Sequence, residues 1–168
     1  EASYDAAKGP SAIMQITVNG NVTITQGAQT ATADTALYDV AAQQVTLSGG
    51  DVKLTAPDTQ VLAHGTVQYQ VSERKATAAG GVTVTQKQQT LKAQAITAWF
   101  DKDNKLTRAV ADKNVVMTQQ TTQGPQVAQA QHADYDAGSG KVTLTGDVKL
   151  ARGINYMQGA KASVDLKT

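Results

Sequence analysis

Apolar and polar residues alternate along most of this chain. In the stretch VTLTGDVKL, Val142, Leu144, Val148 and Leu150 are apolar, while Thr143, Thr145, Asp147 and Lys149 are polar. A period of two sends successive side chains to opposite faces, which predicts strands with one buried and one wet face. No i, i+3, i+4 stripe competes, so the pattern predicts an all-β chain. Turn signals separate the strands, among them Asp101-Lys102-Asp103-Asn104 and Asp136-Ala137-Gly138-Ser139-Gly140.

The alternating stretch is also a repeat. VTLTGDVKLA at residues 142–151 echoes VTLSGGDVKLT at residues 45–55. Aligned on one valine, five copies fall at Val22, Val52, Val82, Val115 and Val148, in steps of 30, 30, 33 and 33 residues. A second phrase follows each copy, small residues first and then an aliphatic or aromatic position. Examples are ATADTALYD from Ala31, KAQAITAWF from Lys92 and AQAQHADYD from Ala128. A fixed period of this length predicts stacked units, each covering its neighbour's open strand edge. The expectation is one domain over residues 1–168, built from about five such repeats. In the second copy an extra glycine (Gly49-Gly50) intervenes between Leu47 and Val52, which predicts a bulge or a corner. In the last copy the alternation runs through Gly146 without a break.

Bent strands that fold back on themselves make two layers about 10 Å apart. Small residues recur in the second phrase: Ala33, Ala63, Gly65, Ala93, Ala130 and Gly159. They either let the layers approach and turn a corner, or they leave a lengthwise apolar trough. Aromatic residues are only 4% of the chain, so the interior is filled by small aliphatic groups or is not completely filled.

Charge and candidate chemistry narrow the function. The 15 basic and 14 acidic residues nearly cancel, which argues against nucleic acid as a partner. Without cysteine there are no disulfides and no thiolate chemistry. His64 and His132 without cysteine make a poor metal set and read as exposed strand histidines. The Asp101 turn lacks the glycine and distal glutamate of a calcium loop. No nucleophile elbow occurs, and Trp99 and Phe100 sit at repeat positions that suit packing. No catalytic residue, metal or cofactor is expected.

The G-x-V-x-[VIL] units, the segment from Ala33-Asp34 to Tyr38-Asp39, and the closing run from Val142 through Gly153, Gly159 and Val164-Asp165-Leu166 carry a resemblance. Over nearly its whole length the chain resembles the OstA-like family of lipopolysaccharide-transport proteins. The resemblance implies an open β-jellyroll in the periplasm, its signal peptide removed. It further implies a non-enzymatic carrier that holds lipopolysaccharide acyl chains in an apolar groove and bridges the inner and outer membranes by end-to-end assembly.

The groove would be lined by Val22 and Ile24, by Leu47, Val52 and Leu54, by Val82 and Val84, by Val115 and Met117, and by Leu144, Val148 and Leu150. Assembly would pair Ile13, Ile16 and Val18 of one copy with Ile154, Tyr156, Val164 and Leu166 of the next. Related OstA-like domains of inner- and outer-membrane components would be further partners. Lys53, Lys113, Lys149 and Arg152 are either weak phosphate contacts at the rim or solvated outer residues. The alternatives are a structural solenoid or stalk module of a surface protein, or the periplasmic domain of another component of the same pathway.

Overall fold

The computed structural model describes residues 2–4, 13–122 and 124–165. Thirteen strands lie among them. They are β1 (Ala2–Tyr4), β2 (Ile13–Gln26), β3 (Gln29–Asp39), β4 (Gln44–Ser48), β5 (Val52–Ala56), β6 (Thr59–Ala63) and β7 (Thr66–Gln70). There follow β8 (Lys75–Gln86), β9 (Gln89–Phe100), β10 (Leu106–Thr121), β11 (Gly124–Asp136), β12 (Lys141–Arg152) and β13 (Asn155–Asp165). All pairings are antiparallel, and the order is β1-β2-β3-β4-β7-β8-β9-β10-β11-β12-β13. The short strands β5 and β6 bridge the remaining halves of β3 and β8. The two layers expected from the pattern are therefore two arms of one continuous sheet.

A line of bulges divides the arms. The register shifts at Asn19/Val22, Ala79/Val82, Asp112/Val115 and Thr145/Val148, and β4 gives way to β5 across Gly49–Asp51. Left-handed backbone occurs at the same places: Gly20 with Asn21, Gly49, Gly80 with Gly81, Lys113 with Asn114, and Gly146 with Asp147. Two residues oppose one across each of these shifts, which bends the strand and strengthens its twist. The 30–33-residue period of the sequence is the spacing of these corners.

The valine after each bulge is buried, with Val22 at 7% exposure, Val52 at 0%, Val82 at 2%, Val115 at 1% and Val148 at 2%. Each faces a small residue on a neighbouring strand: Val22 opposite Ala33, Val52 opposite Ala63, Val82 opposite Ala93, Val115 opposite Ala130 and Val148 opposite Gly159. Large–small pairing at a tight corner lets side chains interlock without clash. A second ladder runs through the first arm, from Ala36 to Leu47, Val67, Ala78, Ile96, Ala111, Ala133 and Leu144. All eight are buried, so the other arm folds over this face.

Turns are fixed by short side chains. The Asp39 carboxylate accepts from the Ala42 amide at 2.9 Å, and the Asp136 carboxylate accepts from the Ser139 amide at 2.6 Å. The Asp101 carboxylate accepts from the amides of Asp103 (2.8 Å) and Lys105 (3.0 Å), and the Lys105 bond is the main cause that holds its pKa below the usual carboxylate value. These Asx turns complete the links between strands.

Candidate functional site

The concave face of the second arm carries the feature best suited to a ligand. Its ladder runs Ile24, Ala31, Leu54, Val61, Val84, Leu91, Met117, Ala128, Leu150 and Met157, each opposite the next across one strand pair. From Ala31 to Leu150 these side chains are half-buried and pack against the core. At the two ends Ile24 and Met157 are exposed, at 41% and 67%. The row is apolar and uncharged across ten strand segments, and each member keeps at least partial exposure. On the first arm a matching row runs Ile16, Tyr38, Val45, Tyr69, Ala76, Ala98, Ala109, Tyr135, Val142 and Val164. The two rows flank the buried corner ladder of valines and small residues, an arrangement that would make the walls and floor of a trough.

The residues expected to line the groove divide between floor and wall. Val22, Val52, Val82, Val115 and Val148 form the floor, and Leu47 and Leu144 lie in the covered ladder of the first arm; all seven are buried. Ile24, Leu54, Val84, Met117 and Leu150 stand in the open wall. Sequence reasoning missed Ala31, Val61, Leu91, Ala128 and Met157 in the same wall. Their signal was available, because each lies two residues before the small residue of its second phrase.

The described residues expected at the ends lie on β2, on β13 and in the turn before β13. Ile13, Ile16 and Val18 of β2 are exposed at 50%, 37% and 48%. β1 pairs with β2 only from Ile13 to Ile16, which leaves the edge from Val18 onward unpaired among the described residues. At the opposite end, β13 pairs only with β12 among the described residues. Ile154 and Tyr156 there are highly exposed, and Val164 is half-buried. Leu166 lies outside the described residues.

Charged groups are kept off the walls. Lys53 and Lys149 alternate with Leu54 and Leu150 and so point away from the trough, and Lys113 sits at a corner bulge. Arg152 alone of the four basic candidates follows the wall's parity, at the lip beyond Leu150. The histidines sit at the corner: His64 Nδ1 is 2.6 Å from Asp51, and His132 Nδ1 is 2.6 Å from Asp112. On the outer face Arg108 makes a two-pronged pair with Asp134 (3.0 and 2.6 Å) and lies 5.2 Å from the Trp99 ring centroid. That hydrogen bonding raises the Arg108 pKa and lowers that of Asp134. Phe100 instead lies along the first arm's lip. Among the described residues no cluster of three or more His, Cys, Asp or Glu side chains is placed to hold a metal.

Comparison with known proteins agrees with this architecture. Residues 61–168 match the family described as LptA/(LptD N-terminal domain) LPS transport protein. No curated protein matches the chain. Among solved structures, a similar one is the crystal structure of LptH, the LptA homologous periplasmic component of the conserved lipopolysaccharide transport device from Pseudomonas aeruginosa. It is 21% identical, the match covers 64% of this chain and 75% of that one, and the TM-score is 0.57. At that identity the likeness speaks for the fold. The strand ladders nevertheless run without interruption from residue 13 into the matched segment, so residues 13–60 continue the same repeat. With the family match spanning most of its length, the chain belongs to the LptA/LptD N-terminal-domain family of lipopolysaccharide-transport proteins.

Proposed function

We propose that this protein is a non-enzymatic carrier that holds the acyl chains of lipopolysaccharide in its trough, in the periplasm. The observation that carries the proposal is the unbroken half-buried wall from Ala31 to Leu150. Each methylene removed from water contributes about 0.8 kcal/mol, so a chain of about twelve carbons gains on the order of 10 kcal/mol in such a trough. No chemistry and no cofactor are required. The absence of cations from the walls lets the lipid move on, because no fixed charge anchors its phosphates there.

Transfer along a trough requires that troughs join. The exposed apolar residues of β2 and β13, beside free strand edges, support end-to-end pairing with further copies or with related domains. Such pairing would extend one wall into the next and bridge the two membranes.

Capture of lipopolysaccharide by the purified protein tests the carrier reading. Leu54→Asp and Leu150→Asp place a charge in the open wall and should abolish capture by a folded protein. Lys53→Asp, on the opposite face of the same strand, should leave capture intact. Equal capture by all three variants contradicts the proposal.

A further inference from the structure

The two lips of the trough differ in chemistry. Beyond the first arm's wall, the concave positions are Met14, Val40, Val71 and Phe100 with Gln43, Arg74, Thr107 and Ala137 among them. Backbone bonds extend the ladder there, from the Val40 amide to the Met14 carbonyl (3.0 Å) and from the Phe100 amide to the Arg74 carbonyl (2.9 Å). Met14, Val40 and Val71 are exposed at 46%, 38% and 43%. This lip is mainly apolar.

The second arm's lip is rich in amides, with Ala56 and Thr59 of the short strands standing between Gln29 and Gln86. Two residues beyond the apolar wall, Gln26 pairs with Gln29, and Gln86, Gln89, Gln119 and Gln126 face one another on successive strands. Gln126 then pairs with Arg152. Parity keeps these glutamines on the trough side, because each lies two residues from a wall residue. Four are exposed (Gln26, Gln29, Gln86, Gln119), and Gln89 and Gln126 are half-buried. None of the six side-chain amides is hydrogen-bonded to another described residue. A neutral amide offers two donors and an acceptor. Such a row matches neutral ligand groups that both donate and accept, whereas a phosphate would be met by lysine or arginine.

We propose that this glutamine row binds the junction between acyl chains and saccharide in the transported amphiphile, namely its amide and ester linkages and chain hydroxyls. The inference rests on the carrier reading and adds an orientation to it. The polar junction lies against the second arm's lip, and the acyl chains cross the wall toward the apolar first lip.

The test compares two probes of equal chain length on the full chain: an N-acylated glucosamine and a plain fluorescent alkane. Gln86→Met, Gln89→Met and Gln119→Met are combined, since methionine keeps the side chain's length and removes its hydrogen bonds. Gln60→Met on β6 with Gln120→Met on β10, which change glutamines of opposite parity, is the control, and circular dichroism reports folding. Loss of at least about tenfold in glucosamine-lipid affinity, with alkane affinity held or raised and the control unchanged, is expected. Unchanged glucosamine-lipid affinity in the triple variant overturns the glutamine assignment and leaves the carrier reading standing. Binding of neither probe by the unmodified protein overturns both. If methionine perturbs the strands, Gln→Ala at the same three positions must give the same selective loss, and an equal loss for both probes overturns the assignment.

Discussion

At the scale of single residues, the corners decide the fold. Gly65 and Gly80 meet backbone to backbone: a methyl on Gly80, whose φ is +95°, would stand 2.9 Å from the Gly65 Cα. Gly80→Ala should therefore destabilise the protein by about 1–3 kcal/mol, from strain and close contact together. Lys113 holds the same left-handed geometry (φ 62°) without glycine, at the cost that left-handed backbone imposes on L-residues. Lys113→Gly should raise stability by up to about 1 kcal/mol, the relieved strain exceeding glycine's extra chain entropy. Urea unfolding of the two variants checks both signs.

The Arg108–Asp134 pair gives a pH dependence at the same scale. Because the native Asp134 pKa is lowered from 3.8, the pair's contribution is fully present above that value and is lost as pH falls through the lower native value. Asp134→Asn should thus be less stable than the unmodified protein near neutrality. The difference should vanish in acid, below the ordinary carboxylate range, as denaturant midpoints across pH would show.

At the scale of strands, the repeat was legible and the inner parity only half so. Alternation exposed the strands and the repeated valine, but of the five corners only the one at Gly49-Gly50 was expected from the sequence; those after Gly20-Asn21, Gly80-Gly81, Lys113-Asn114 and Gly146-Asp147 were not. What alternation concealed is that the two strand sets turn the corner differently. Inward residues lie four apart where the bulge is, as in Leu144 and Val148, so the pattern seemed to run straight through Gly146. On the partner strands they lie three apart, as in Ala130 and Ala133 or Ala93 and Ile96, and strict alternation fails there. For that reason half of the open wall escaped a reading based on one phrase. Floor and wall should also respond differently to charge. Val148→Asp, at 2% exposure, buries an unpaired carboxylate and should cost several kcal/mol, enough to lose the cooperative thermal transition. Leu54→Asp, in the half-buried wall, should keep that transition.

At the scale of the whole molecule, a single bent sheet has an open mouth and two ends. Among the described residues no further strand covers β2 from Val18 onward or β13 before Asp165, and exposed apolar side chains lie beside both, a combination that invites strand addition. Light scattering should show a mass that rises with protein concentration; a monomeric mass at every concentration contradicts end-to-end assembly. The resemblance in the sequence indicated the family and the jellyroll, because order and spacing of weak motifs survive where each motif alone does not discriminate. It did not show which apolar residues are accessible, since accessibility depends on how the second arm covers the first.

The central claim is one continuous lipid-holding trough, and photo-crosslinking in cells making lipopolysaccharide tests it most directly. Crosslinkers would be placed at Leu54 and Leu150, near opposite ends of the open wall, and at Lys53 and Lys149 on the outer face. The account predicts lipopolysaccharide adducts from both leucine positions and none from the lysine positions. Folded protein without an adduct at either leucine would mean a filled interior, and the carrier account would fail.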